Sequence, residues 1–320
     1  MKKQNFIFIC LTTLLCGCNT NQVSSITSSQ SSSSLTESSS SSIVSEESSV
    51  EEDPNNIDII ILAGQSNAEG HTHIKELMKN IDEDQYKLYN SGFTKTKIKY
   101  NCNNGTNRST SFVDVKLGQG FDVTRFGPEI GMAETFEKAE LKRDLYVFKY
   151  ALGATNLYQQ WRSYSSGSEG QLFTKFSVSL LETIAELEDE GYIPHVKGIC
   201  WMQGEADSCD TLFTTNYEEY EKNFFADISE LVGEYLDDET LHIFDAYISN
   251  YSGWRNYKFI NLAKKNNSEN NPNHHVIDTI EEGLEYDKEP LGSVDYYHYD
   301  SLSMIKLGNL FASSILEYAL

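Results

Sequence analysis

Five short apolar runs, rich in β-branched and aromatic residues, recur along the chain: 57–63 "IDIIILA", 145–151 "LYVFKYA", 196–202 "VKGICWM", 240–247 "TLHIFDAY" and 274–279 "HHVIDT". Helical patterns separate most of them, and that alternation is the tightest constraint on the fold. Strand, helix and strand in succession require right-handed crossovers, which cover both faces of a parallel sheet with helices. The helical spans expected are 129–141, 174–190, 215–236 and 301–319. In the last, Leu302, Ile305, Gly308, Ala312, Ile315 and Ala319 fall on one face, and Asp300 or Ser301 stands where a cap belongs. The fold class is therefore α/β with a central parallel sheet. The polar region from about 71 to 128 reads as a long insertion around the site.

The N-terminus has the layout of a secretory leader: Lys2 and Lys3, an apolar stretch too short for a permanent membrane helix, then small residues. Its ending "LLCGC" looks like a lipoprotein cleavage site that would leave Cys18 as the lipidated terminus. Residues 1–17 are read as a lipoprotein signal peptide and 18–53, almost all Ser, Thr and acids, as a disordered tether. Residues 54–320 then form the globular domain. The expected location is the bacterial cell surface, outside the cytoplasm, with the membrane as a partner through the lipid anchor. A net charge of −23 argues against nucleic acid and against any anionic polymer held by bulk charge. A neutral substrate fits better.

Ligand sites in such sheets lie beyond the carboxyl ends of the strands. Three unusual sequences stand there: "GQSNAEG" after the first strand, "LGATNLYQQW" after the second and "MQGEADS" after the third. Ser66 has two readings. With Glu69 it matches a capping box, yet Gly70 and "HTHIK" follow, leaving little helix to cap; as a strand-end serine it is a candidate nucleophile. Asp295 and His298, three apart, can bond each other and leave one ring nitrogen to take a proton from a serine. Gly153, Gly204, Gln203 and Asn67 offer donors for a developing oxyanion, or merely end strands and open helices. Trp161 and Trp201 are expected in the core.

Two histidine pairs, His71 with His73 and His274 with His275, raise the question of a metal. A zinc deacetylase would need a recognisable ligand spacing, and no HExxH is present, so no metal and no cofactor are expected. Of six cysteines only Cys102, Cys200 and Cys209 lie in the body, an odd number without a CxxC pair, and a single bridge among them stays open.

Taken in order, "ILAGQSNAEG", "RFGPEIGMAETF", "YALGATNLYQQW", "WMQGEADS" and "DYYHYDSLSMIKLG" resemble the sialate O-acetylesterase-like branch of the SGNH hydrolases, which includes carbohydrate esterase family 6 acetylxylan esterases. The resemblance spans most of the body. It implies a flavodoxin-like three-layer α/β/α domain, without a metal, that removes acetyl groups from sugar hydroxyls. It implies Ser66 as nucleophile, His298 as general base and acid, and Asp295 as its orienting residue. The Ser66 amide, Gly153 and Gln203 would form the oxyanion hole. Asn67 and Glu205 would be substrate-side or supporting groups, and Glu129 structural. One departure is Gly153-Ala154-Thr155 where the family usually has Gly-Gly-Thr. The partner so implied is an acetylated carbohydrate, either a sialic acid or an acetylated plant or cell-wall glycan. A surface carbohydrate-binding lipoprotein with the same fold and no catalysis is the competing reading.

Overall fold

The computed structural model describes residues 53–320; the expected signal peptide, Cys18 and all of the tether but Asp53 lie outside the described residues. In chain order the strands are β1 (Asn56–Gly64), β2 (Thr72–His73), β3 (Phe93–Cys102), β4 (Asn107–Arg108), β5 (Val113–Val115), β6 (Arg125–Phe126), β7 (Asp144–Ala151), β8 (Ile193–Met202), β9 (His242–Ala246) and β10 (His274–Ile277). The helices are α1 (Ser66–Glu69), α2 (Ile74–Asn80), α3 (Glu83–Ser91), α4 (Glu129–Lys138), α5 (Gln171–Asp189), α6 (Glu205–Ser208), α7 (Thr211–Leu231), α8 (Tyr257–Glu269) and α9 (Ser301–Tyr318).

Strand β1 takes the middle of the sheet, since Ile57 through Gly64 are all buried and tolerate a covered surface on both sides. It pairs in parallel with β7 and with β8, and β9 and β10 continue the parallel set. These five strands stand in the order β7-β1-β8-β9-β10, the doubly wound arrangement whose switch point lies between β1 and β8. The insertion adds a sixth parallel strand: β3 pairs with the outer side of β7, and β4 and β5 pair antiparallel with β3. The reading of 71–128 as insertion alone is therefore corrected. Thr96, Ile98 and Cys102 are buried with period two, while the alternate positions are the lysines 95, 97 and 99, which made the stretch look like loop.

Alternation along β7 shows the layers. Phe148 and Tyr150 meet Phe176 of α5 at ring distances of 6.1 and 5.9 Å. Lys149 between them points the other way, its Nζ donating to Glu129 of α4 at 2.7 Å. Helices α5 and α4 thus cover opposite faces, giving three layers. On the α5 side α7 brings Phe224 to 4.4 Å from Trp201, and Trp161 and Trp201 are fully buried. On the other, α9 crosses α4 closely at Gly308, where a Cβ would fall 2.0 Å from the Pro128 carbonyl oxygen. The buried face of α9 runs through Met304, Ile305, Gly308, Ala312 and Ile315; Leu302, placed on that face by spacing alone, is exposed. Helix α8 is absent from the sequence expectation because its Asn- and Lys-rich sequence hides an inward side. There Lys264 is fully buried, donating to Asp245 and, at 3.2 Å, to Glu221.

Candidate active site

The strand β1 ends at Gly64 with φ +142°, where any Cβ would lie 2.1 Å from the Met202 carbonyl oxygen. That contact is fixed by the Gln65 N–H, which donates to Met202 O at 3.0 Å. The chain turns at once into α1, with Ser66 as its first helical residue and Gln65 at the cap position. The capping-box reading of Ser66 fails on that ground: its side chain makes no cap bond, and Glu69 reaches elsewhere. A first-turn residue has no acceptor for its N–H within the helix, so the Ser66 amide is available.

A cavity of about 550 Å³ opens over this turn, lined by Ser66, His298, Gly153, Ala154, Trp254 and Tyr297 among others. Asp295 Oδ2 and His298 Nδ1 are 2.7 Å apart, the pairing that three-residue spacing suggested, which leaves Nε2 as the free ring nitrogen. Burial alone would raise the Asp295 carboxyl, but the bond and charge of His298 outweigh it, and the carboxyl lies below its ordinary range. No hydrogen bond joins Ser66 to His298; they share the cavity rather than touch. Asn67 ties the two segments together. Its Nδ2 donates to Glu205 Oε1 at 2.8 Å and to Tyr297 O at 3.4 Å, and its Oδ1 accepts from the Tyr299 N–H at 3.2 Å.

The remaining expected site residues lie behind the cavity wall or are bonded to neighbours. Asn67 and Glu205 are buried and do not line the cavity, the placement of supporting groups rather than substrate-side ones. Burial raises the Glu205 carboxyl, which the Asn67 bond and the charges of Lys264 and His298 only partly offset. Gln203 is fully buried, its Nε2 donating to Asp207 Oδ2 at 2.6 Å, to Thr155 O at 3.1 Å and to Gln65 Oε1 at 3.3 Å. With its donors so bonded, Gln203 staples two strand-end loops together. The Gly153 N–H donates to Glu69 Oε2 at 2.9 Å, so this amide is also occupied. Buried carboxylates accept from both groups, Asp207 from Gln203 Nε2 and Glu69 from the Gly153 N–H.

Of these carboxylates, Glu69 enters the sequence reading only as the capping-box partner of Ser66, and Asp207 only within the motif "MQGEADS". Asp207 accepts from Leu157 N–H at 2.9 Å and Tyr158 N–H at 3.1 Å as well as from Gln203, tying the loop after β7 to α6. The signal lay in "QGEAD", where an acid follows Gln203 closely, in the short helix that begins after Gly204. Ala154 holds a left-handed φ of +58°, which explains the glycine usual there. Ala154→Gly is expected to raise unfolding free energy by about 1 kcal/mol, since the strain of a Cβ in that region exceeds the entropic cost of glycine. A urea titration showing a lower midpoint at unchanged slope would contradict it.

Glu129, buried, accepts from Lys149 and, at 2.9 Å, from the Gly127 N–H, a structural role. His274 bonds Asp245 Oδ2 at 3.2 Å under α8, far from any ligand set. Among the described residues no group of three or more His, Cys, Asp and Glu is arranged to hold a metal, and Cys102, Cys200 and Cys209 are free thiols.

A family model described as carbohydrate esterase, sialic acid-specific acetylesterase, matches residues 56–317. No protein of curated function matches the sequence. Among solved structures, a protein from Arabidopsis thaliana is similar with a TM-score of 0.57 and 21% identity, over 84% of this chain and 100% of that one. NanS is similar with a TM-score of 0.57 and 12% identity, over 83% of this chain and 98% of that one. At these identities the two structures speak to the fold.

Proposed function

The chain belongs to the sialic acid-specific acetylesterase family of carbohydrate esterases, and on that premise we propose that it removes acetyl groups from sugar hydroxyls through a Ser66 acyl-enzyme. The observation that carries this is the shared cavity: Ser66 and His298 both open onto it, with Asp295 bonded to the other ring nitrogen of His298. In the first half-reaction His298 accepts the Ser66 hydroxyl proton as Oγ bonds to the acetyl carbon. The ester C–O bond then breaks, and the departing sugar oxygen takes that proton. In the second, His298 takes a proton from water, the hydroxide adds to the acyl carbon, and acetate leaves as Ser66 regains its proton. The Ser66 N–H, free at the first turn of α1, supports the oxyanion.

The cavity wall supports a neutral acetylated sugar over one bearing a carboxylate. Trp254 and Tyr297 line it with rings 5.5 Å apart, and Tyr297 is 53% exposed, an apolar face with a polar edge suited to a pyranose. Among its lining residues there is no lysine or arginine, whereas the Glu69 carboxylate is one of them.

The test is twofold. A serine-reactive fluorophosphonate is expected to label Ser66, and acetate release is expected from acetylated xylosides and from the methyl ester of an O-acetylated sialic acid at rates at least about tenfold above the free acid. Sugar binding without labelling would replace the esterase reading with that of a carbohydrate-binding protein. Labelling with preference for the free acid would retain the esterase and discard the neutral substrate.

A further inference from the structure

Beside the Asp295–His298 pair stands a second carboxylate–imidazole pair, Glu69 with His71. His71 Nε2 is 2.7 Å from Glu69 Oε2, and Glu69 is fully buried. Its two oxygens also accept from the Gly153 N–H at 2.9 Å and the Asn103 N–H at 2.5 Å, so three donors fix the carboxylate. The ring of His71 lies over that of His298, with centroids 4.5 Å apart and planes 20° apart. Phe121 covers it as well, with ring centroids 4.6 Å apart. The backbone is held too: Arg125 donates to the His71 carbonyl, and Phe121 N–H donates to Gly70 O at 2.9 Å.

We propose that His71, locked by Glu69 and Phe121, is a positioning residue that holds the ring of His298 by its face while Asp295 holds it by its edge. The inference rests on the reading of His298 as the general base. A single bond at Nδ1 leaves an imidazole free to swing about that bond, and a stacked neighbour removes this freedom. The stack does more when His298 takes the Ser66 proton, because a ring that becomes cationic is favoured over a neighbouring π face. The charged groups facing the two rings are Asp295 and Glu205 beside His298, and Glu69, Asp122 and again Asp295 beside His71, with Arg125 on the His71 carbonyl. Glu69 is hydrogen-bonded to the His71 ring and makes no hydrogen bond to His298.

Three variants of the full chain, assayed on p-nitrophenyl acetate and an acetylated xyloside, test this. His71→Ala is expected to lower kcat by about tenfold or more, with a smaller change in KM, because the ring of His298 loses its face support. His71→Phe restores the stacking surface and should recover most of that loss. Glu69→Gln removes the buried negative charge, so the imidazolium of His298 is less favoured and the acid limb of the kcat/KM profile moves to lower pH. A phenylalanine variant no better than the alanine one, or an acid limb that stays in place in Glu69→Gln, would overturn the inference. Should His71→Ala lose its cooperative unfolding transition, the other two variants decide. Ser66→Ala separates the premises: if it keeps the parental rate, the esterase reading itself falls, whereas a dead Ser66→Ala with an unaffected His71→Ala removes only the role of His71.

Discussion

Ser66→Ala is expected to reduce acetate release by about 10⁴-fold or more while leaving the protein as stable as the parent. The kinetic half follows from the chemistry, because Ser66 carries the one aliphatic hydroxyl among the residues lining the cavity with His298, the other hydroxyl being the phenol of Tyr297. The stability half follows from the structure. Ser66 caps nothing and its hydroxyl makes no hydrogen bond among the described residues, so its removal orphans no partner. The change in unfolding free energy should stay within about 0.5 kcal/mol. Steady-state acetate release together with urea unfolding measures both. A variant within tenfold of the parental rate would sink the acyl-enzyme mechanism.

Asp207→Ala is expected to act in the opposite way, through stability. Its carboxylate is the acceptor for Leu157 N–H, Tyr158 N–H and Gln203 Nε2, of which Gln203 alone keeps other acceptors, Thr155 O and Gln65 Oε1. Leaving the two amides unpaired costs about 2 kcal/mol in sum at neutral pH, after the relief of one buried charge. The pH dependence carries the sharper test. Burial pushes the Asp207 carboxyl up to about 6 from an ordinary value of 3.8, although the Gln203, Leu157 and Tyr158 bonds pull it down. A raised folded-state value means that between about pH 4 and 6 the folded protein holds a proton that the unfolded chain has released. Stability from this group therefore falls as pH rises through that window, by about 3 kcal/mol in total, and the cost is complete above it. The variant lacks this slope, so its deficit against the parent should be larger at pH 4.5 than at pH 7.5. A deficit independent of pH, read from unfolding midpoints at both values, would rule out the raised carboxyl.

Much of the architecture was legible because it rests on short-range patterns. The β-branched run before Gly64, the apolar strands 145–151 and 196–202 and the helix after Asp300 all appear within three residues of their expected limits. The Asp295–His298 bond was legible for the same reason, a three-residue turn that the local chain closes by itself. What escaped detection was amphipathic in the wrong sense. The lysines of β3 occupy its less buried positions, and in α8 the polar Asn261, Lys264 and Asn267 face inward, so composition masked an inward face that only neighbouring elements define.

The site divides along the same line. From the sequence alone it followed that a serine, a histidine with its carboxylate, and the two polar loops "LGAT" and "MQGE" would meet at one end of a parallel sheet, because crossover connections bring successive strand ends together. Which of those polar groups are free to act was decided by tertiary structure. Gln203 is consumed by Asp207 and Thr155, the Gly153 amide by Glu69, and Asn67 by Glu205 and Tyr299. The stacking of His71 on His298 joins residues from the first and last segments of the domain. Hydrogen bonds and ring contacts of this kind last because burial excludes competing water, and burial depends on segments far apart in the chain.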